Sequence, residues 1–189
     1  MKFRSRHDAW GNLVKLLHWL TAIFILAAVA IILNAQSIDL SIDTENRRLI
    51  FRTGIYRHEA FGILALAAVA VRMVWRLFDK RPDLPATMGR WEIAASSLTH
   101  GALYVLAVAA CMLGWYQVSS NGGLVHVFGW TGLPTLTSKD EHIHEVVAFW
   151  HEWVSWIFVG LIAFHALAAL KHHLIDRDRV LRSMLPFSR

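Results

Sequence analysis

Five histidines lie within or at the ends of apolar segments long enough to cross a membrane: His18, His58, His100, His151 and His165. An imidazole in hydrocarbon costs free energy unless it binds a partner, so an intramembrane histidine indicates a functional site. His151 and His165 are 14 residues apart, which returns them to within about 40° of the same helical face. Their separation along the axis is roughly 21 Å. That distance is too long for one metal ion, but it suits two stacked macrocycles, one near each face of a bilayer.

The elements that must position these histidines are membrane-spanning helices. The chain has 189 residues, of which 56% are hydrophobic and only 17% charged, whereas a soluble domain has about 25% charged residues. Four apolar segments reach the roughly 20 residues that cross about 30 Å of hydrocarbon, which predicts helices over about 13–34, 58–78, 91–118 and 146–173. We therefore expect an all-α fold, an integral-membrane four-helix bundle that forms one domain over residues 1–189.

The positions of Lys and Arg predict the orientation of the bundle. The N-terminal tail, the middle connection and the C-terminal tail share one side, and they carry thirteen of the 19 basic residues. The opposite side carries five. The positive-inside rule then places both termini in the cytoplasm. This asymmetry accounts for the net charge of +5, which therefore does not indicate a nucleic-acid surface.

The N-terminal apolar run and the two outer connections allow more than one interpretation. The run could be a signal peptide cleaved after Ala35, but it is longer than a usual signal core and contains His18, which favours a retained helix. In the first outer connection, the Ile/Leu spacing predicts a short, separate interfacial helix. In the second, the DEHIHE stretch at residues 140–145, together with His126, could bind a divalent ion, although a solvated loop rim explains it more simply.

Helix direction sorts the histidines into two levels. His58 and His151 lie near the outer face, while His18 and His165 lie in the inner half, with His100 as a third inner candidate. Two neutral imidazoles from different helices are what axial ligation of a b-type haem requires. At the inner level, the pattern alone does not choose two histidines of three.

Several other residues could support such cofactors. Gly62 lies one turn from His58, where a side chain would crowd a flat ring. Basic residues near either level could pair with haem propionates or could anchor the membrane interface: Arg52 and Arg57 on the outer side, Lys15 and Lys171 on the inner side. The single cysteine, Cys111, excludes a Cys-x-x-Cys-His attachment site, so any haem is held without thioether bonds.

Over nearly its whole length, the chain resembles the bacterial cytochrome b561 family. The resemblance rests on the motifs LLHW, YRHEAFGI, FWHEW and AFHALAALKHH and on the basic tail LRSMLP. It implies a multi-pass protein of the bacterial inner membrane with two b haems. By this resemblance, His58 and His151 hold the outer haem iron and His18 and His165 hold the inner one, which leaves His100 unligated.

Iron with two histidine ligands has no open position, so electron transfer is favoured over oxygen activation. The resemblance implies single-electron transfer between a periplasmic donor and the ubiquinone pool, and it allows superoxide as the donor. Expected partners are membrane lipid, quinone and a small donor or a redox protein. A second hypothesis is an electron-transfer or anchor subunit for a partner dehydrogenase or hydrogenase. A third makes the histidines a proton relay in a haem-free transporter.

Overall fold

The computed structural model describes residues 3–6, 9–37, 43–83, 88–128 and 132–186. Its elements are α1 (Asn12–Gln36), α2 (Thr44–Phe78), α3 (Arg90–Ser120), α4 (Glu141–Lys171), a π-helical turn (His172–Asp176) and α5 (Val180–Met184). The four long helices are each long and apolar enough to cross a membrane. Within the described ranges no β-strand forms, and the predicted all-α, four-helix membrane fold is confirmed.

Contacts between helix ends show that the four long helices alternate in direction. The side chain of Ser5, before α1, donates to Asp79 at the end of α2 over 2.6 Å. Lys171, at the end of α4, lies 2.8 Å from Glu92 at the start of α3. We call this end, which holds the segments next to both termini, the inner end. Its cytoplasmic placement remains a prediction from the charge distribution.

The first outer connection differs from its prediction. Residues 44–57 do not form a separate interfacial helix, because they are the first turns of α2 itself. Asp43 caps this helix by accepting hydrogen bonds from the backbone N–H groups of Asn46 and Glu45, and these bonds lower the pKa of the Asp43 carboxyl. Residues 38–42 lie outside the described ranges. With 35 residues, α2 is about 52 Å long, so its charged N-terminal turns extend beyond the hydrocarbon.

The DEHIHE stretch also differs from the expected loop rim. Asp140 caps α4 by accepting from the backbone N–H of Ile143 over 3.0 Å, and Glu141 is the first helical residue. His144 Nδ1 lies 3.0 Å from the carbonyl oxygen of Gln117 on α3. Among the described residues, this stretch does not bring three ligand-type side chains together. The stretch therefore joins α4 to α3.

Small residues let the helices approach closely, as is usual in membrane bundles. A Cβ added to Gly54 of α2 would lie 2.5 Å from the Cβ of Ala35 on α1. A buried cluster of Val69, Ala107, Ala110 and Phe158 joins α2, α3 and α4. Many large apolar side chains stay exposed on the outside of the bundle, which is the surface that lipid would cover.

Candidate functional site

At the outer level, α2 and α4 bring His58 and His151 together. Their ring centroids are 6.1 Å apart with an interplanar angle of 74°. His58 Nδ1 lies 2.9 Å from the carbonyl oxygen of Ala28 on α1, and His151 Nδ1 lies 3.0 Å from that of Ala110 on α3. A carbonyl oxygen only accepts, so each Nδ1 carries the proton and donates it. In the neutral imidazole, Nε2 then keeps its lone pair.

Gly114 of α3 provides space for the His151 ring. A Cβ at this position would lie 3.1 Å from His151 Cε1, closer than an ordinary van der Waals contact. The sequence analysis missed this residue, because a glycine in a membrane helix is common for simple packing and its neighbour on another helix cannot be deduced from the sequence. Gly114 and Ala110 together form the surface of α3 that positions His151.

At the inner level, three histidines from three helices meet. The ring centroid of His165 on α4 lies 6.3 Å from that of His18 on α1 and 5.1 Å from that of His100 on α3. His100 Nδ1 donates to the Ser96 carbonyl oxygen of its own helix over 2.6 Å. His18 Nδ1 is buried and has no hydrogen-bond partner among the described residues.

An apolar cavity surrounds the inner histidines. It has a water-accessible volume of about 120 Å³ and is lined by residues of all four long helices. Arg72, Tyr104 and Phe158 line it beside the three imidazoles. Arg72 would be expected to extend toward lipid headgroups, but it faces this cavity. The sequence feature that could have identified Arg72 is its position, since it is a charged residue about two turns before the end of an apolar helix.

Trp19 joins the inner site to the C-terminal segment. Its ring packs against His18 in an edge-to-face contact, with centroids 5.4 Å apart. Its Nε1–H donates to the carbonyl oxygen of Met184 on α5 over 2.8 Å. Trp150, Trp153 and Trp156 instead expose more than half of their surface. The position of Trp19 suggests that α5 covers the inner site.

The outer candidates Arg52, Arg57 and Gly62 all lie on α2. Arg52 donates from Nε to the Tyr56 hydroxyl over 2.8 Å, and both arginines are exposed. A Cβ added at Gly62 would meet no atom within 4 Å, so this side of α2 faces open space. The arginines form a cationic outer rim, and Gly62 leaves room below His58.

The two inner lysines differ in their surroundings. Lys171 lies 2.8 Å from Glu92 and 2.7 Å from Asp176, so two carboxylates already compensate its charge. Lys15 is buried on α1, one turn before His18. The neighbouring His172 lies 2.7 Å from Asp178. Lys171 thus joins the end of α4 to α3 through Glu92, and the His172–Asp178 contact joins the π-helical turn to the segment before α5.

The chain is similar to known proteins over almost its full length. A family model described as prokaryotic cytochrome b561 matches residues 9–187. Cytochrome b561 homolog 2 of Escherichia coli (strain K12) is 29% identical over 191 residues, which covers 98% of this chain and 95% of that protein. Cytochrome b561 homolog 1 of the same organism is 30% identical over 131 residues, which covers 68% and 73%. The probable superoxide oxidase CybB of Yersinia pestis is 24% identical over 132 residues, which covers 70% and 74%.

Proposed function

The chain belongs to the prokaryotic cytochrome b561 family, and from this membership we propose that it binds two b haems and carries single electrons between a periplasmic donor and the ubiquinone pool. The family assignment, together with four helices able to span a membrane, makes the chain a multi-pass electron-transfer protein of the bacterial inner membrane that binds b-type haem. The number of haems, the ligands, the donor and ubiquinone belong to the proposal.

The observation that carries the proposal is the equal spacing of two histidine pairs. The centroids of His58 and His151 are 6.1 Å apart, and those of His18 and His165 are 6.3 Å apart. One metal between two imidazoles needs about 4 Å between the nitrogens, because a bond from histidine to a first-row metal is about 2 Å long. Two rings whose centroids are about 6 Å apart have about 4 Å between their Nε2 atoms when these atoms face each other. The histidines present therefore fit two haems.

The separation of ring centroids also favours His18 over His100 as the inner partner of His165. The separation of His100 from His165, 5.1 Å, is about 1 Å shorter than that of the outer pair, which leaves too little space for two metal–nitrogen bonds. We therefore propose His58, His151, His18 and His165 as the four iron ligands. Under this proposal, His100 lies beside the inner haem without binding its iron.

At the outer site, the protein orients its ligands through the backbone. The carbonyl groups of Ala28 and Ala110 hold the Nδ1 protons of His58 and His151, which fixes the tautomer that ligates through Nε2 and makes that nitrogen more basic. When bound, the haems supply one-electron redox chemistry. The helices set the distance between the two sites, and mostly apolar side chains line the inner one.

We propose superoxide as the donor. A relative at 24% identity carries the name probable superoxide oxidase, and exposed arginines on the first turns of α2, Arg52 and Arg57 among them, would attract a small anion to the outer face. Each superoxide gives up one electron and becomes dioxygen. Two such electrons and two protons convert one ubiquinone to ubiquinol.

The test uses the full chain purified with its haem and placed in lipid nanodiscs that contain a ubiquinone analogue. We expect two haems per chain and a reduction of the quinone that depends on a superoxide source and stops when superoxide dismutase is added. Haem-free protein, or one haem per chain, would contradict the cytochrome proposal. Quinone reduction that needs a co-purifying dehydrogenase or hydrogenase would instead favour the anchor-subunit hypothesis.

Gly114→Val should weaken the outer site selectively. The added Cβ alone would lie 3.1 Å from His151 Cε1, and the valine methyl groups would extend beyond it, so the ring must move away from its position. Displacing a metal ligand in this indirect way typically costs roughly tenfold or more in affinity. We expect lower occupancy of one haem only, measured as haem per chain. Gly160→Ala, where an added Cβ meets nothing within 4 Å, is the matched control and should keep both haems.

A further inference from the structure

Two arginines on α2 pack against the ring of one tyrosine near the inner site. The guanidinium carbons of Arg72 and Arg76 lie 5.5 and 5.4 Å from the ring centroid of Tyr104 on α3. These distances are within the range of a cation–π contact. Arg72 and Tyr104 both line the inner cavity, together with His18, His100 and His165. The aromatic ring thus holds the Arg72 charge at the wall of the proposed inner haem site, with the Arg76 charge on the same ring.

These two charges lack a compensating carboxylate. In the described part of the chain, neither Arg72 nor Arg76 forms an ion pair. Arginines one turn apart on a helix repel each other, and a charge in an apolar site costs free energy unless an anion pairs with it. A cation–π contact with one ring offsets only part of this cost. The arrangement therefore calls for an anion supplied from outside the chain.

We propose that Arg72, supported by Arg76 and Tyr104, binds a propionate carboxylate of the inner haem. This inference rests on the proposed function, since it assumes that a haem occupies the cavity. A guanidinium forms two parallel hydrogen bonds to a carboxylate, and such bidentate pairs are the strongest of their kind. Lys171, the inner candidate on α4, already has Glu92 and Asp176 as partners. Arg72 is the cation that lines the same cavity as the imidazoles.

The proposal predicts a change in reduction potential at one haem. A positive charge beside a haem stabilises its reduced form, because reduction adds a negative charge. Arg72→Gln should therefore lower the equilibrium constant for reduction of the inner haem by about tenfold, which corresponds to about 59 mV for one electron. The outer haem, about 21 Å away along α4, should keep its potential.

The experiment compares the haem-loaded full chain with the Arg72→Gln, Arg76→Gln and Arg72→Lys variants. Arg90→Gln, at an exposed position at the start of α3, is the matched control. Redox titration gives the two midpoint potentials, and the resonance Raman bending bands of the propionates report their hydrogen bonds. We expect Arg72→Gln to lower one potential and to shift a propionate band. Arg76→Gln should cause a smaller change of the same sign, Arg72→Lys should keep most of the potential, and Arg90→Gln should match the wild type.

The outcomes separate this inference from the proposed function. Two haems in Arg72→Gln with both potentials unchanged would overturn the propionate site and leave the cytochrome proposal intact. A lowered potential without a shift in the propionate bands would also overturn it, because the arginines would then hold another anion, such as a lipid phosphate. Loss of the inner haem from Arg72→Gln but not from Arg72→Lys would support it, since charge would then retain the haem. A wild-type chain without two haems would contradict the proposed function itself.

Discussion

Replacing His165 with alanine is expected to remove one of the two haems from each chain and to leave the other in place. His165 is the residue at which the inner imidazoles converge, since its ring lies 6.3 Å from that of His18 and 5.1 Å from that of His100. Without it, α4 offers no other imidazole in the inner cavity. The haem content per chain, measured on protein purified in parallel with the wild type, should fall from two to one.

His100→Ala is the matched comparison for this variant. It removes an imidazole from the same cavity, and because the proposal leaves His100 unligated, we expect both haems to remain. Loss of one haem from His100→Ala, with full retention in the His18→Ala variant, would show that His100 and not His18 is the inner partner of His165. Full haem in His165→Ala would overturn the ligand assignment at this level altogether.

His151→Ala should stop electron transfer from the outer donor to quinone while the inner haem stays bound. The His151 ring is positioned by the Ala110 carbonyl and by the space at Gly114, whereas His144, about two turns before it on α4, has its Nδ1 3.0 Å from the Gln117 carbonyl oxygen. Removing even a supporting residue of a metal site costs up to about 100-fold in activity, so we expect a loss at least this large. Superoxide-dependent quinone reduction measures it, with haem content determined on the same samples.

The control for this variant is His142→Ala, which removes an exposed histidine from the first turn of the same helix. It should keep both haems and the wild-type rate. If His151→Ala kept the wild-type rate with one haem, the outer haem would lie off the electron path. If it kept both haems, His151 would not be an axial ligand. Either result would contradict the proposed route.

Local sequence patterns predicted most of the bundle but misplaced two helix starts. The apolar segments marked four helices because hydrophobic length reports membrane insertion directly. Hydropathy did not predict that the charged first turns of α2 and the DEHIHE turn of α4 are helical, because both are polar and lie at the membrane boundary. There the caps Asp43 and Asp140 decide where the helices begin, through hydrogen bonds to the first free N–H groups.

Composition and spacing were enough to predict the family, the four spanning helices and the two levels of histidines, because both are properties of local chain geometry. Helix packing was needed to show which imidazoles approach each other, that Ala28 and Ala110 orient the outer pair, and that Arg72 faces the inner cavity. These features depend on how each helix is rotated about its axis and on how closely its neighbours pack. Small residues such as Gly54 and Gly114 set that packing through contacts with other helices, and no spacing within a single helix encodes those contacts.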